Sequence, residues 1–85
     1  MADVDVVRLP ADVAAARPAL LRVLAGAPEQ VVLDLRSLAT LDVRMIGMVT
    51  AAAHHAAAIG TRLAVRHVSP AVRAALLSLG LAVLD

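Results

Sequence analysis

The sequence has three histidines, three serines and no cysteine, the side chains that most often supply nucleophiles or soft metal ligands. His54 and His55 are adjacent, so on a helix their side chains point about 100° apart, whereas two helical histidines that share a metal ion need i, i+4 spacing. His67 falls on a different predicted element. The sequence therefore predicts no metal site and no cofactor.

The serines and glycines also lack the surroundings that catalysis or phosphate binding requires. No serine stands in the Gly-x-Ser-x-Gly context of a nucleophile elbow. The glycines are isolated from one another, so the chain has no glycine-rich phosphate loop. Because the absence of cysteine also removes thiolate nucleophiles, we expect a protein that binds rather than an enzyme.

Two charged residues precede and begin the longest predicted helix. The Asp42 carboxylate can accept a hydrogen bond from the backbone N–H of Arg44 or Met45, so Asp42 is either a structural N-cap or part of a recognition corner. Arg44 places a positive charge at the positive end of the helix dipole. The helix is therefore less stable by about 0.3–1 kcal/mol than it would be with an anion at this position. Either Asp42 or Asp34 pairs with Arg44 locally, or a partner protein supplies the carboxylate.

The same helix carries a mixed stripe beside its apolar one. The stripe has i, i+4, i+7 and i+11 spacing, which places its members on one face; they are Arg44, Met48, Ala51 and His55. The apolar stripe is led by Ile46 and Val49, or by the neighbouring Met45 and Ala52. If Ile46 faces the core, Met48 is exposed and suits a protein contact, and the alternative is that Met48 is ordinary packing.

Strands and helices alternate along the predicted chain. We predict strands over residues 4–9, 31–35 and 61–68, the second of them central because its apolar run is nearly continuous. A short helix follows Pro18 and ends at Gly26, and a long helix spans residues 43–59. Ser69 and Pro70 begin a third helix that ends at Gly80, after which residues 81–84 form a short strand or pack against the domain.

This alternation predicts an α/β fold, with a mainly parallel or mixed sheet of about four strands and three helices packed on it. At 85 residues the chain is long enough for one domain, residues 1–85, and too short for two. Hydrophobic residues make up 61% of the chain and none is aromatic. We therefore expect a core of alanine and aliphatic side chains with close helix-to-sheet approach.

Composition excludes several other functions. The net charge is only +1 and no aromatic residue is present to stack on a base, which argues against nucleic-acid binding. The longest apolar stretch, residues 45–60, is interrupted by His54 and His55 and is shorter than the roughly 20 residues that span a bilayer. Without a signal-peptide pattern we predict a cytoplasmic protein, and the exclusively arginine basic residues and abundant alanine indicate a bacterial source.

Several short motifs resemble the STAS family of anti-sigma-factor antagonists over residues 4–85. The motifs occur in the family's order, and they are Val31-Val32-Leu33-Asp34-Leu35, Leu41-Asp42, Ile46-Gly47, Gly60-Thr61-Arg62-Leu63-Ala64-Val65, Ser69-Pro70-Ala71-Val72-Arg73 and Leu79-Gly80-Leu81. The resemblance implies a STAS-like domain that binds a protein partner. It also implies a further strand before the first one predicted here; without that strand, an exposed edge would favour a homodimer or addition of a partner strand.

The resemblance fails at the family's phosphorylation motif. Family members carry Asp-Ser-Ser-Gly at the turn into the long helix, and a partner kinase phosphorylates the second serine to switch binding off. This chain has Asp42-Val43-Arg44-Met45, so a permanent positive charge replaces the negative phosphate and no phosphorylation is expected there. Thr40 is the nearest hydroxyl, and it lies off the motif position.

The resemblance implies two kinds of partner. In the first, the chain binds an anti-sigma factor with a kinase-type fold, or a related regulator, through a surface that comprises Asp42, Val43, Arg44, Met45, Met48 and His55. In the alternative, the domain is a structural subunit of a lipid-transport or stressosome-like complex. A STAS domain that binds a small ligand or a nucleotide is disfavoured, because Met45 replaces the family's glycine and stacking aromatics are missing.

Overall fold

A computed structural model describes residues 3–38 and 42–84, in which four strands and three helices alternate. Their order is β1 (Val4–Arg8), α1 (Val13–Ala25), β2 (Gln30–Asp34), α2 (Val43–Ala58), β3 (Arg62–Arg66), α3 (Pro70–Ser78) and β4 (Ala82–Val83). The predicted α/β architecture is confirmed, and the short last strand forms. Thr40 and Leu41 lie outside the described residues.

The four strands form one sheet in the order β1-β2-β3-β4, and all pairings between them are parallel. The register places Val6 beside Val32 and Val32 beside Ala64, and one pleat further Arg8 lies beside Asp34 and Asp34 beside Arg66. As predicted, β2 is an inner strand. Within the described sheet, β1 pairs only with β2 and forms an edge.

The three helices pack on one face of this sheet, which we call the covered face. Each helix connects a strand to its immediate neighbour in the same direction, and right-handed crossovers of this kind place all helices on one side. A single apolar cluster joins alternate residues of β2 and its extension, Val31, Leu33 and Leu35, to buried residues of every helix. These three side chains are each 0% exposed.

The other face, which we call the open face, is buried differently. Val32 and Ala64 point to it and are 5% and 1% exposed, yet neither belongs to the core cluster. In the edge strand on the same face, Val4 and Val6 are 43% and 51% exposed. The centre of the open face is therefore buried without being part of the helix-packed cluster.

Helix α1 begins earlier than predicted and contains Pro18 in its interior. The Asp12 side chain caps it by accepting a hydrogen bond from the Ala14 backbone N–H at 3.2 Å. Pro18 cannot donate the next backbone hydrogen bond, which normally ends or kinks a helix. Burial of Ala16 on one side of Pro18 and of Leu20 on the other accounts for the continuous helix, since packing contributes most helical stability.

Helix α2 uses the second of the two apolar stripes considered above. Met45, Val49, Ala52 and Ala56 are its buried residues. Ile46 is only half-buried and Ile59 is 36% exposed, so an Ile46-led core stripe is wrong and the Met45-led alternative is confirmed. None of the helices in the described residues is long and apolar enough to cross a membrane.

Helix α3 begins and ends as its sequence predicts. The Ser69 hydroxyl accepts from the Val72 backbone N–H at 3.4 Å, and Pro70 occupies the first turn. After the helix, Gly80 adopts φ +79, a left-handed conformation that glycine enters without the steric penalty of a Cβ atom. The chain is thereby turned into β4 beside β3.

Candidate functional site

The first turn of α2 is held by Asp42. Its Oδ1 atom accepts a hydrogen bond from the Met45 backbone N–H at 2.8 Å, and its own backbone is extended. The predicted N-cap is confirmed, with Met45 as the donor. A cap of this type contributes about 1 kcal/mol, and the bond engages one oxygen of a carboxylate that was also considered as a partner for Arg44.

The other carboxylate considered for Arg44 is engaged by Arg36. The Nε atom of Arg36 donates to both oxygens of Asp34 at 3.1 and 2.9 Å, and the Arg36 backbone N–H donates to Oδ1 at 3.1 Å. Chiefly through the side-chain hydrogen bond, Arg36 lowers the pKa of Asp34 below its ordinary value, although burial opposes the shift. Asp34 therefore serves as a fixed anion at the end of β2.

Arg44 consequently has no salt bridge within the described parts of the chain. Local pairing with Asp34 or Asp42, one of the two alternatives from the sequence, is not observed. Its guanidinium is exposed at the positive end of the α2 dipole. A cation at this end stabilises the helix less than an anion would, by about 0.3–1 kcal/mol. Beside it, Val43 is 85% exposed, so a cation and an apolar side chain occupy the surface at the helix start.

Met45 does not belong to this surface, although the sequence analysis included it. Its side chain is 2% exposed and belongs to the core cluster under the sheet-facing side of α2. The reason is helical geometry, since Met45 and Val49 are four residues apart and share the core face. Only the Met45 backbone N–H, through its bond to Asp42, contributes to the turn.

The predicted mixed stripe lines a groove between α1 and α2, which we call the α1–α2 groove. It has a volume of about 480 Å³. Its α2 wall comprises Arg44, Gly47, Met48, Ala51, Ala52 and His55. The structure thus brings together four residues that the sequence placed on one face, although Met48 is half-buried against the core rather than fully exposed.

The opposite wall comes from α1, and the sequence analysis did not predict it. Its residues are Val13, Arg17, Leu20, Leu21 and Leu24. They have i, i+4, i+7, i+8 and i+11 spacing, so a pattern was present, but it fell across a helix start that was placed too late. Leu21 in this wall is 56% exposed, so it offers an apolar side chain to the groove.

The groove has an apolar floor and three basic groups at its sides: Arg17, Arg44 and His55. No acidic residue is among its described lining residues. His54 instead lines a separate depression of about 190 Å³ with Thr50 and Leu79, as expected for adjacent helical residues that point apart. In the described ranges no group of histidine and acidic residues could hold a metal ion.

The serines have structural contacts. The Ser37 hydroxyl accepts from Nε of Arg8 at 3.2 Å, and the Ser78 hydroxyl donates to the Ala75 carbonyl at 2.7 Å. The Ser69 hydroxyl caps α3, so each of the three serines has a structural contact. The site itself consists of an apolar groove, an exposed valine and two exposed arginines.

A parallel sheet with helices on one face, and a groove between two of those helices, is the architecture of a small α/β domain. The family model for the Mlab, STAS domain matches residues 7–84, and the chain belongs to the STAS family. STAS domains are generally non-enzymatic binding modules. No curated protein and no solved structure gives a significant match to this chain.

Proposed function

We propose that this STAS domain is an anti-sigma-factor antagonist-like module that binds a regulatory protein in the cytoplasm without a serine phosphorylation switch. The partner is an anti-sigma factor with a kinase-type fold or a related regulator, and the outcome is control of transcription. The contact surface comprises Asp42, Val43, Arg44, Met48 and His55.

The exposed start of α2 is the observation that carries this proposal. Val43 is 85% exposed, and both carboxylates that the sequence offered to Arg44 have other partners. Arginine beside an apolar side chain is a combination enriched in protein interfaces, where a guanidinium pairs with a partner's carboxylate. A partner acid at this position would supply the ion pair that Arg44 does not form within residues 3–38 and 42–84.

The replaced phosphorylation motif supports constitutive rather than switched binding. Arg44 occupies the position of the family's phosphorylated serine, and neither Val43 nor Met45 has a hydroxyl group. A kinase partner therefore has no acceptor at this position. Under this proposal the amount of complex depends on the concentrations of the chain and its partner and not on phosphorylation at this position.

The test is affinity purification of the tagged chain from its native cell, with the bound proteins identified by mass spectrometry. We expect an anti-sigma factor with a kinase-type fold, and we expect Arg44→Glu to remove it. Arg22→Glu is the matched control, because Arg22 lies in the last turn of α1 and does not line the groove. Equal recovery with Arg44→Glu and Arg22→Glu would exclude the proposed surface.

A second candidate is a structural STAS subunit of a lipid-transport or stressosome-like complex. The exposed edge strand β1 favours it, because the apolar side chains of Val4 and Val6 are 43% and 51% exposed on the open face. This candidate predicts a stable complex of transporter or scaffold subunits that survives Arg44→Glu. The same purification would then lose those subunits when Val6 is replaced by Glu.

A further inference from the structure

The shape of the α1–α2 groove fits three turns of a helix. The lining residues run from Val13 to Leu24 on α1 and from Arg44 to His55 on α2, and eleven residues of helix span about 17 Å. Both walls are helices whose backbone hydrogen bonds are internal, so they offer no edge to an extended strand. A helix seated by its side chains is the binding mode such walls accept.

The charged side chains that line the groove within the described residues are basic. Arg17 and Arg44 lie near the N-terminal ends of their helices, and neither forms a salt bridge within the described residues. Asp12 and Asp42, at the same end, use their carboxylates to cap the helix backbones. A bound helix with carboxylates beside its apolar face complements these arginines, whereas a basic helix would be repelled.

Gly47 provides an independent indication of close approach. It lies inside α2, where glycine is the least favourable residue after proline, and a Cβ atom built on it meets nothing within 4 Å. Nothing in the described fold therefore requires glycine at this position. Gly47 and Ala51 leave a shallow strip along the groove wall, which lets a second helix backbone come close.

We propose that the α1–α2 groove binds an amphipathic helix of a partner protein, with its apolar side on Leu21 and Met48 and with acidic residues opposite Arg17 and Arg44. This inference rests on the proposed function and deepens it, because it names the segment that the partner presents. It adds the α1 wall and Gly47 to the contact surface. A second copy of this chain is the main competing occupant.

Selection from a displayed library of random 16-residue peptides tests the occupant. The target is the full chain, and the counter-target is Leu21→Glu. Leu77→Glu is the matched control, because Leu77 on α3 has the same 56% exposure as Leu21 but does not line the groove. We expect the selected peptides to bind the unmutated chain and the Leu77→Glu variant but not the Leu21→Glu variant. Their sequences should carry Asp or Glu beside apolar residues at i, i+4 and i+7.

Three results would overturn the proposal. One is a set of groove-dependent peptides without acidic enrichment, and another is the absence of any peptide sensitive to Leu21→Glu. The third is a concentration-dependent dimer in sedimentation equilibrium that Leu21→Glu abolishes, since the occupant would then be a second copy.

A charge swap tests the pairing directly. The tightest selected peptide should lose about tenfold or more in affinity to Arg17→Glu/Arg44→Glu, and a version with its acids replaced by Lys should regain affinity for that variant. Arg22→Glu should leave the affinity of both peptides unchanged. Equal losses for both peptides with the double variant would show that the arginines support the fold instead of the contact.

Gly47→Ala separates binding from stability. Replacing a helix-interior glycine by alanine in open space should raise the urea midpoint, while the added methyl group holds the bound helix away and weakens the selected peptide about tenfold. Unchanged affinity together with a raised midpoint would exclude close approach at Gly47.

The two proposals fail in different ways. If the native partner is lost with Arg44→Glu but retained with both Leu21→Glu and Gly47→Ala, the partner binds the start of α2 and no helix occupies the groove. If all three variants retain it, the proposed function itself is wrong.

Discussion

The two faces of the sheet are built from the same strands but are buried in different ways. On the covered face, Val31, Leu33 and Leu35 are 0% exposed and join one cluster with residues of all three helices. On the open face, Val32 is 5% exposed without belonging to that cluster, while Val6 in the edge strand is 51% exposed. Low exposure therefore does not by itself indicate a helix-packed core.

The open face also holds the buried charge. Asp34 is 4% exposed and lies between Arg8 and Arg66 in the sheet register, yet its hydrogen bonds come from Arg36. The Nε atom of Arg66 is buried and has no hydrogen-bond partner in the described residues. The Asp34 carboxylate is tolerated at this burial because Arg36 supplies its hydrogen bonds and a compensating charge.

The largest contrast is expected from adjacent residues of β2. Leu33→Ala should lower the free energy of unfolding by about 2–5 kcal/mol, because it leaves a cavity beneath the helices. Val32→Ala removes fewer carbon atoms from a face that water can refill, and should cost about 1–1.5 kcal/mol. Urea unfolding followed by circular dichroism measures both.

Equal losses for Leu33→Ala and Val32→Ala would break the comparison, because they would mean that the open face is as tightly packed as the covered one. The m-value should remain unchanged in both variants if each acts on the native state.

The second contrast concerns Asp34. Asp34→Asn should lower the urea midpoint at pH 7, because a carboxylate that is bonded to Arg36 becomes a neutral amide. The pKa of Asp34 is lowered from 3.8 in the folded protein, so its stabilising contribution is present above the unfolded-state pKa. That contribution is lost as the pH falls through 3.8 towards the folded-state value.

Urea midpoints at pH 7 and pH 3 check the sign of this effect. The unmutated chain should lose more stability between the two pH values than Asp34→Asn does. Asp5→Asn, which removes an exposed carboxylate from the edge strand, is the control and should retain most of the pH dependence. If the stability of Asp34→Asn depends on pH as strongly as that of the unmutated chain, the pH dependence comes from other carboxylates.

The sequence predicted the features whose cause is local. Asp42, Ser69 and Gly80 mark helix ends through hydrogen bonds or backbone angles within a few residues of themselves. The start of α1 was misplaced because Pro18 normally ends a helix, and only the packing of Ala16 and Leu20 against the rest of the fold overrides it.

Only the α2 wall of the candidate site was predicted from the sequence. Spacing alone placed Arg44, Met48 and His55 on one face of α2, and they line one groove. The opposing wall with Arg17 depends on which helix lies beside α2, which is decided by strand order rather than by any local pattern. Met45 was assigned to the surface because it aligns with the last position of the family's motif at this turn, whereas its burial places it on the core-facing stripe of α2.

The smallest contrast lies within the edge strand, between Val6 and Val7. Threonine keeps the β-branched shape of valine but adds a hydroxyl group, which must find a hydrogen-bond partner where water is excluded. Val7 is half-buried against the core cluster, so Val7→Thr should cost about 1 kcal/mol. Val6→Thr should remain within about 0.5 kcal/mol of the unmutated chain.

Urea unfolding measured at two protein concentrations sharpens this last comparison. If a second copy or a partner strand covers the open face, Val6→Thr becomes the costlier change, and its effect grows with protein concentration. If the face is free, the effect stays small at both concentrations. The ratio of the Val6 and Val7 effects therefore reports whether the open face is a surface or an interface in solution.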